Sequence, residues 1–159
     1  MRKVLFGIIG IILLGSGCNN AFTLNDEPQT EQSTRQPTIK IKDQTLLFDL
    51  ANTNALRELG LSGRQSLPEN NGMLFDFRNQ ADIPQFWMKD MLFNIDILWI
   101  KDNKIIAVDK NVPAPSSNEQ TTNLKIYSPP SMVNFVLEVN AGWSDDHNVA
   151  TGDSVILPF

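Results

Sequence analysis

The chain has 159 residues, of which 42% are apolar, 19% charged and 8% aromatic. These are globular values, and the length suits one domain or one domain with a tail. Lys and Arg number 13 against 18 Asp and Glu, for a net charge of −5, which argues against a nucleic-acid partner because phosphate binding needs clustered cations. One Cys and one His exclude an internal disulfide, a zinc cluster built on Cys pairs and a site with two His ligands.

Residues 1–18 have the anatomy of an export signal. Arg2 and Lys3 precede an apolar run from Val4 to Leu14, and Gly15-Ser16-Gly17 leads to Cys18. The run is too short for a lasting membrane span, which needs roughly 20 residues. Small residues directly before a lone Cys resemble a lipobox, although Gly15 stands where Leu is usual. The expectation is lipidation of Cys18 and export, with the membrane as a partner through the N-terminus alone. An uncleaved anchor and simple secretion are the alternatives. Removing residues 1–17 takes away two cations and no acid, so the remaining surface has no intrinsic pull toward anionic headgroups. Residues 19–37 are polar, with Phe22 and Leu24 as the only large apolar side chains. Such a stretch cannot bury a core, and a flexible tether of this length reaches roughly 25 Å.

Residues 38–159 carry the domain. Ile39 and Ile41, then Leu46, Phe48 and Leu50, alternate with other residues across Asp43-Gln44, which predicts a β-hairpin. Thr53 is placed to cap a helix over Asn54 to Leu59, ended by Gly60. A polar loop follows to Gly72, and Met73 to Phe77 predicts a strand. Phe86 to Ile100 is long and apolar. Asp102-Asn103 is a two-residue hairpin signal, with Ile105 to Val108 as the returning strand. Asn111 to Asn123 is a Pro/Ser/Asn loop. Phe135 to Val139 and Ser154 to Leu157 complete the strands, with Ala141-Gly142-Trp143 between them. The prediction is an α+β domain, mainly β: a small antiparallel barrel or sandwich of about seven or eight short strands with one or two short helices.

Four segments together are distinctive: Gly60-Leu61-Ser62-Gly63-Arg64 with Leu67-Pro68 and Gly72 to Phe77; Phe86-Trp87-Met88-Lys89-Asp90-Met91 with Ile95-Asp96-Ile97; Val136 to Trp143; and Gly152-Asp153. In this order and spacing the stretch from Ile39 to Leu157 resembles domain-of-unknown-function family 192. That resemblance implies a compact, mainly β domain, often exported, with no established activity. Many members have Met where Ser62 stands, and many have a Cys near Ser116; the second departure means no thiol chemistry in that loop carries over.

The residues themselves must then supply the chemistry. There is no Gly-x-Ser-x-Gly, no Walker loop and no Gly-x-Gly-x-x-Gly, so neither a nucleophile elbow nor a nucleotide site is expected, and no cofactor. His147 lies in a polar stretch that reads as surface. Asp96 shares an alternating face with Leu98 and Ile100, and Glu138 sits among Val136, Leu137 and Val139; carboxylates on apolar faces must be paired, hydrogen-bonded or neutral. Lys89 interrupts an apolar run in the same way. Trp87 and Trp143 flank polar or Gly positions and are suited either to stacking on a ligand or to the core. Met73, Met88 and Met91 read as core. Arg64 is expected to dock on a carboxylate such as Asp76 or Asp153.

These residues define the expected site: Trp87, Lys89, Asp96, Glu138 and Trp143 as a pocket binding an envelope glycan, a peptide or a small polar molecule without catalysis. The alternatives are a hydrolase using Asp96 and Glu138 as acid and base, and a purely structural or assembly protein of the envelope. No metal is expected.

Overall fold

A computed structural model of the chain describes residues 36–79, 83–116 and 124–159. The expected export signal with Cys18 and most of the expected tether lie outside the described residues, as does the tip of the Pro/Ser/Asn loop. The described residues hold seven strands and two short helices. In chain order these are β1 (Thr38–Ile41), β2 (Gln44–Ala51), α1 (Asn54–Leu59), β3 (Asn71–Asp76), β4 (Ile95–Lys101), β5 (Lys104–Val112), β6 (Phe135–Asn140), α2 (Trp143–Asp146) and β7 (Val155–Ile156).

Local chemistry accounts for most of the boundaries. The β4–β5 turn is Asp102-Asn103, with φ of 49° and 58°, the left-handed pair that a two-residue hairpin requires. The β1–β2 turn falls on Lys42-Asp43, one residue earlier than expected, with Lys42 at φ 54°. Lys42 tolerates this conformation while its ammonium bridges Asp153 at 3.1 Å. Thr53 caps α1 by accepting from the Leu56 N–H at 3.2 Å, and the Gly60 N–H closes the helix on the Leu56 carbonyl. The long apolar run resolves into irregular chain up to Asn94 and then β4. Ala141-Gly142 leads into α2, which begins at Trp143.

The strands form one sheet in the order β5-β4-β6-β3-β2-β1-β7. All neighbouring pairs are antiparallel except β2 and β3, which run parallel with α1 in their connection; this is the one departure from an all-antiparallel barrel. The two ends of the sheet nearly meet. Ile105 N–H donates to Asp153 O at 3.0 Å and Val155 N–H to Asn103 O at 2.9 Å, so the sheet is an almost closed barrel.

Strand alternation divides the buried side chains into two cores. The inner one draws on every strand, with Ile39, Phe48, Leu74, Leu98, Ile105, Leu137 and Val155 among its members, and is closed by Trp143 of α2. The outer one lies on the other face of β3, β4 and β6, where Met73, Phe75, Ile97, Trp99 and Val136 are covered by Leu61, Leu67, Met88, Met91 and Tyr127 from the connections. Because both faces of β4 are covered, Ile95 to Ile100 is buried without interruption.

Candidate ligand cavity

The candidate site lies on the outer face, where α1 and the irregular segment before β4 cover β3 and β6. Glu138 occupies the middle of β6, opposite Met73 of β3 and Ile97 of β4. Its strand position turns it toward the outer core, where it is 6% exposed. Burial pushes its carboxyl up to about 8; the positive charge of Arg64 pulls the other way and only in part. No hydrogen bond reaches its buried Oε2 among the described residues.

Glu138 contributes to the wall of a cavity of about 210 Å³, shared with Phe75, Phe77, Phe86, Trp87 and Met91 and with the end of α1 from Arg57 to Ser62. This volume exceeds the roughly 150 Å³ in which an apolar protein cavity holds a benzene ring, so the cavity accepts one ring or a comparable group. The aromatic side is organised around Phe86, which meets Phe75 edge-on at 4.9 Å and Trp99 at 5.4 Å. Phe86 is fixed by two backbone bonds with Tyr127, each 2.9 Å, which also sets its neighbour Trp87. Trp87 is 48% exposed.

Polar bonds hold the covering segments in place. Ser62 Oγ donates to Lys89 O at 2.9 Å and Gly63 N–H to Asp90 O at 2.8 Å, tying the loop after α1 to the Trp87 segment. Asn140 Nδ2 donates to Leu67 O at 3.0 Å. Arg57 donates to Asp76 O at 2.8 Å and to Asn54 Oδ1 at 2.7 Å, and lies 5.5 Å above the Phe77 ring. Under Glu138 itself, Gly72 lets β3 and β6 approach: a Cβ there would stand 2.9 Å from Leu137 Cδ1 and 3.0 Å from Glu138 O.

The five residues expected to form one pocket do not come together. Trp87 and Glu138 share the cavity. Lys89 is exposed, and it is the backbone carbonyl of this residue that is engaged. Trp143 is 4% exposed inside the barrel and stacks on His147, centroids 4.8 Å apart. Asp96 also faces the interior. It pairs across the ladder with Val139, one position from Glu138, and a one-residue offset in a strand reverses the face. The expected acid–base couple of Asp96 and Glu138 is therefore separated by the sheet.

Asp96 instead fastens backbone. Its Oδ1 accepts from the N–H of Asn111 at 2.8 Å and of Gly142 at 3.1 Å, and its Oδ2 from the N–H of Ser144 at 2.9 Å. It caps α2 from a distant strand and holds the end of β5. His147 is half-buried rather than surface-facing, with Nδ1 2.8 Å from Trp143 O. Arg64 docks on Asp49 at 2.7 Å, while Asp76 takes Arg78 and Asp153 takes Lys42. Among the described residues two more buried polar atoms lack partners, Trp143 Nε1 and Ser144 Oγ, but neither belongs to the cavity. Among the described residues no three His, Cys, Asp or Glu side chains gather closely enough to hold a metal ion.

The cavity residues beyond Trp87 and Glu138 escaped the sequence because they come from three separate segments. Phe75 and Phe77 read as an ordinary strand and Arg57 as an ordinary helix residue. Their one sequence signal is adjacency to the Gly60–Arg64 and Gly72–Phe77 segments.

The family model DUF192, "Uncharacterized ACR", matches residues 37–157. The chain belongs to that family. No curated protein matches it. Among solved structures, the DUF192 domain is similar to a protein of unknown function from Novosphingobium aromaticivorans DSM 12444, with 24% identity and a TM-score of 0.66 over 75% of this chain and 83% of that one. It is also similar to a candidate transcription regulator from Sinorhizobium meliloti 1021, with 28% identity and a TM-score of 0.67 over 76% of this chain and 92% of that one. The first likeness is one of fold alone.

Proposed function

We propose that this DUF192 protein is a non-catalytic binding module, exported and held at the outer face of the membrane by lipidated Cys18, and that its cavity seats one ring-sized group of a small polar ligand, a glycan or a peptide. The observation that carries the reading is the Glu138 carboxyl: buried, without a partner for Oε2, in the wall of an aromatic cavity. A buried polar atom left unpaired costs about 1–3 kcal/mol, and a ligand that hydrogen-bonds it recovers that cost. Exposed Trp87 at the same cavity supplies a ring for stacking. A two-carboxylate hydrolase gains no support from an Asp96 already engaged by three backbone N–H groups on the opposite face. The acidic surface gives a transcription-regulator role no support either.

Thermal melting against envelope glycans, peptides and metabolites tests the binding reading, because a ligand of the folded state raises the Tm by mass action. The expected outcome is a shift with one ligand class that disappears in Trp87→Ala while the fold persists. A flat response across the panel would leave an assembly role. Anchoring is tested separately: fatty-acid labelling and membrane fractionation are expected to be lost in Cys18→Ser.

A further inference from the structure

We propose that the ligand of this cavity is an organic cation, a small molecule bearing a fully alkylated ammonium group that sits among Phe75, Phe86 and Trp87 and pairs with the Glu138 carboxylate. The inference rests on the cavity being a ligand site and adds the chemistry of what enters it.

Three observations converge. Glu138 is 6% exposed, and among the described residues its Oε2 has no hydrogen-bond partner, with Arg64 acting on it through charge alone. Nearby guanidinium groups are already committed: Arg64 to Asp49 at 2.7 Å, and Arg57 to Asn54 Oδ1, Asp76 O and the Phe77 ring. Four of the lining side chains, Phe75, Phe77, Phe86 and Trp87, are aromatic, and aromatic ring faces attract alkylated ammonium groups. A fully alkylated ammonium has no N–H to donate, so it would meet the ionised Glu138 carboxylate as a charge partner while its alkyl groups lie on apolar surface. The volume of about 210 Å³ suits a trimethylammonium head.

The charge environment gives the proposal a measurable sign. The charged groups lining the cavity with Glu138 are Arg57 and Glu58 from α1, and Arg64 from the following loop acts on it by its charge; the β3 and β4 neighbours are Met73 and Ile97, and the Trp87 segment lines the cavity with uncharged residues. Of the two acids lining the cavity, Glu58 and Glu138, Glu138 is the buried one, and burial holds it protonated up to about pH 8. A cation binds the ionised form, so binding expels the Glu138 proton to solvent. Affinity must then rise about tenfold per pH unit below pH 8 and level off above it. A neutral ligand accepting a hydrogen bond from the protonated carboxyl would show the opposite slope.

The experiment is calorimetric titration of the full-length chain with choline and with dimethylbutanol, its uncharged carbon analogue, from about pH 6 to pH 9.5 in buffers of different ionisation heat. Expected are choline binding at least tenfold tighter than the analogue at the highest pH, the rising affinity just described, and release of about one proton per choline at the acid end. Glu138→Gln, which is nearly isosteric, is expected to abolish both the pH slope and the proton release; Trp87→Ala is expected to weaken choline while keeping the slope. Equal binding of the two probes, a flat or falling profile, or no heat with choline would each overturn the cation assignment. Binding of the neutral analogue alone would do so while leaving the cavity as a ligand site. Silence from both probes together with a flat melting panel would remove that reading as well.

Discussion

Asp96 on β4 and Glu138 on β6 sit one rung apart on adjacent strands, both buried, both carboxylates, and on opposite faces of the same sheet. Inside the barrel, Asp96 accepts three backbone N–H bonds from two distant segments. On the outer face, Glu138 has an oxygen with no partner among the described residues and a raised pKa caused by its burial. The inner carboxylate is consumed by the fold, because every lone pair it offers to α2 and β5 is one that backbone donors would otherwise lack. The outer one is a cost that folding alone does not recover. Burial of an acid thus says little about its role until its partners are counted.

The most severe way to break this contrast is to remove the inner anchor. Asp96→Leu orphans three N–H groups, those of Gly142 and Ser144 being half-buried and buried, at about 1–3 kcal/mol for each buried one, and a loss of about 3 kcal/mol or more is expected in urea unfolding, enough to unfold a marginal domain. If stability fell by less than about 1 kcal/mol, the anchor role would be wrong.

Glu138→Gln should act in the other direction, and its effect should depend on pH. The folded pKa of Glu138, about 8, lies above its ordinary value of 4.5. The folded state therefore holds the proton more tightly than the unfolded chain. The contribution of Glu138 is intact below about pH 4.5 and is lost as pH rises toward 8, at about 1.4 kcal/mol per pH unit at most. The variant does not titrate, so its stability relative to the native chain should climb by a few kcal/mol between pH 5 and pH 9. Parallel pH profiles for the two proteins would mean that Glu138 ionises freely in the fold.

A smaller effect sharpens the comparison from the cavity side. Thr53 caps the helix that builds one wall of the cavity. Thr53→Ala should cost about 1 kcal/mol and raise hydrogen exchange in α1, while leaving the exchange of β4 and β6 unchanged. Faster exchange throughout the sheet would mean that the outer layer and the barrel are one cooperative unit.

The strands that announced themselves did so by short-range signals. The β4–β5 hairpin follows from Asp102-Asn103, and α1 follows from Thr53 and Gly60, because turn and cap chemistry act over a few residues. The β2–β3 parallel pair did not announce itself, since it joins segments across a helix and a loop. The fate of Ala141 to Asp146 was also hidden: its helix is capped by Asp96, 46 positions upstream of Gly142, which no local pattern records. Alternation correctly grouped Asp96 with Leu98 and Ile100. It could not relate that face to the face of Glu138, because the relation depends on the register between β4 and β6.

The amino-acid sequence by itself determined the family, the mainly β class, most element boundaries and the two acids placed among apolar neighbours, all of which follow from composition, alternation, motifs and local turn chemistry. Only the tertiary structure decided which acid is spent. Ladder register, set by the packing of two cores against one sheet, turned Asp96 toward waiting backbone donors and Glu138 toward an aromatic cavity without a partner.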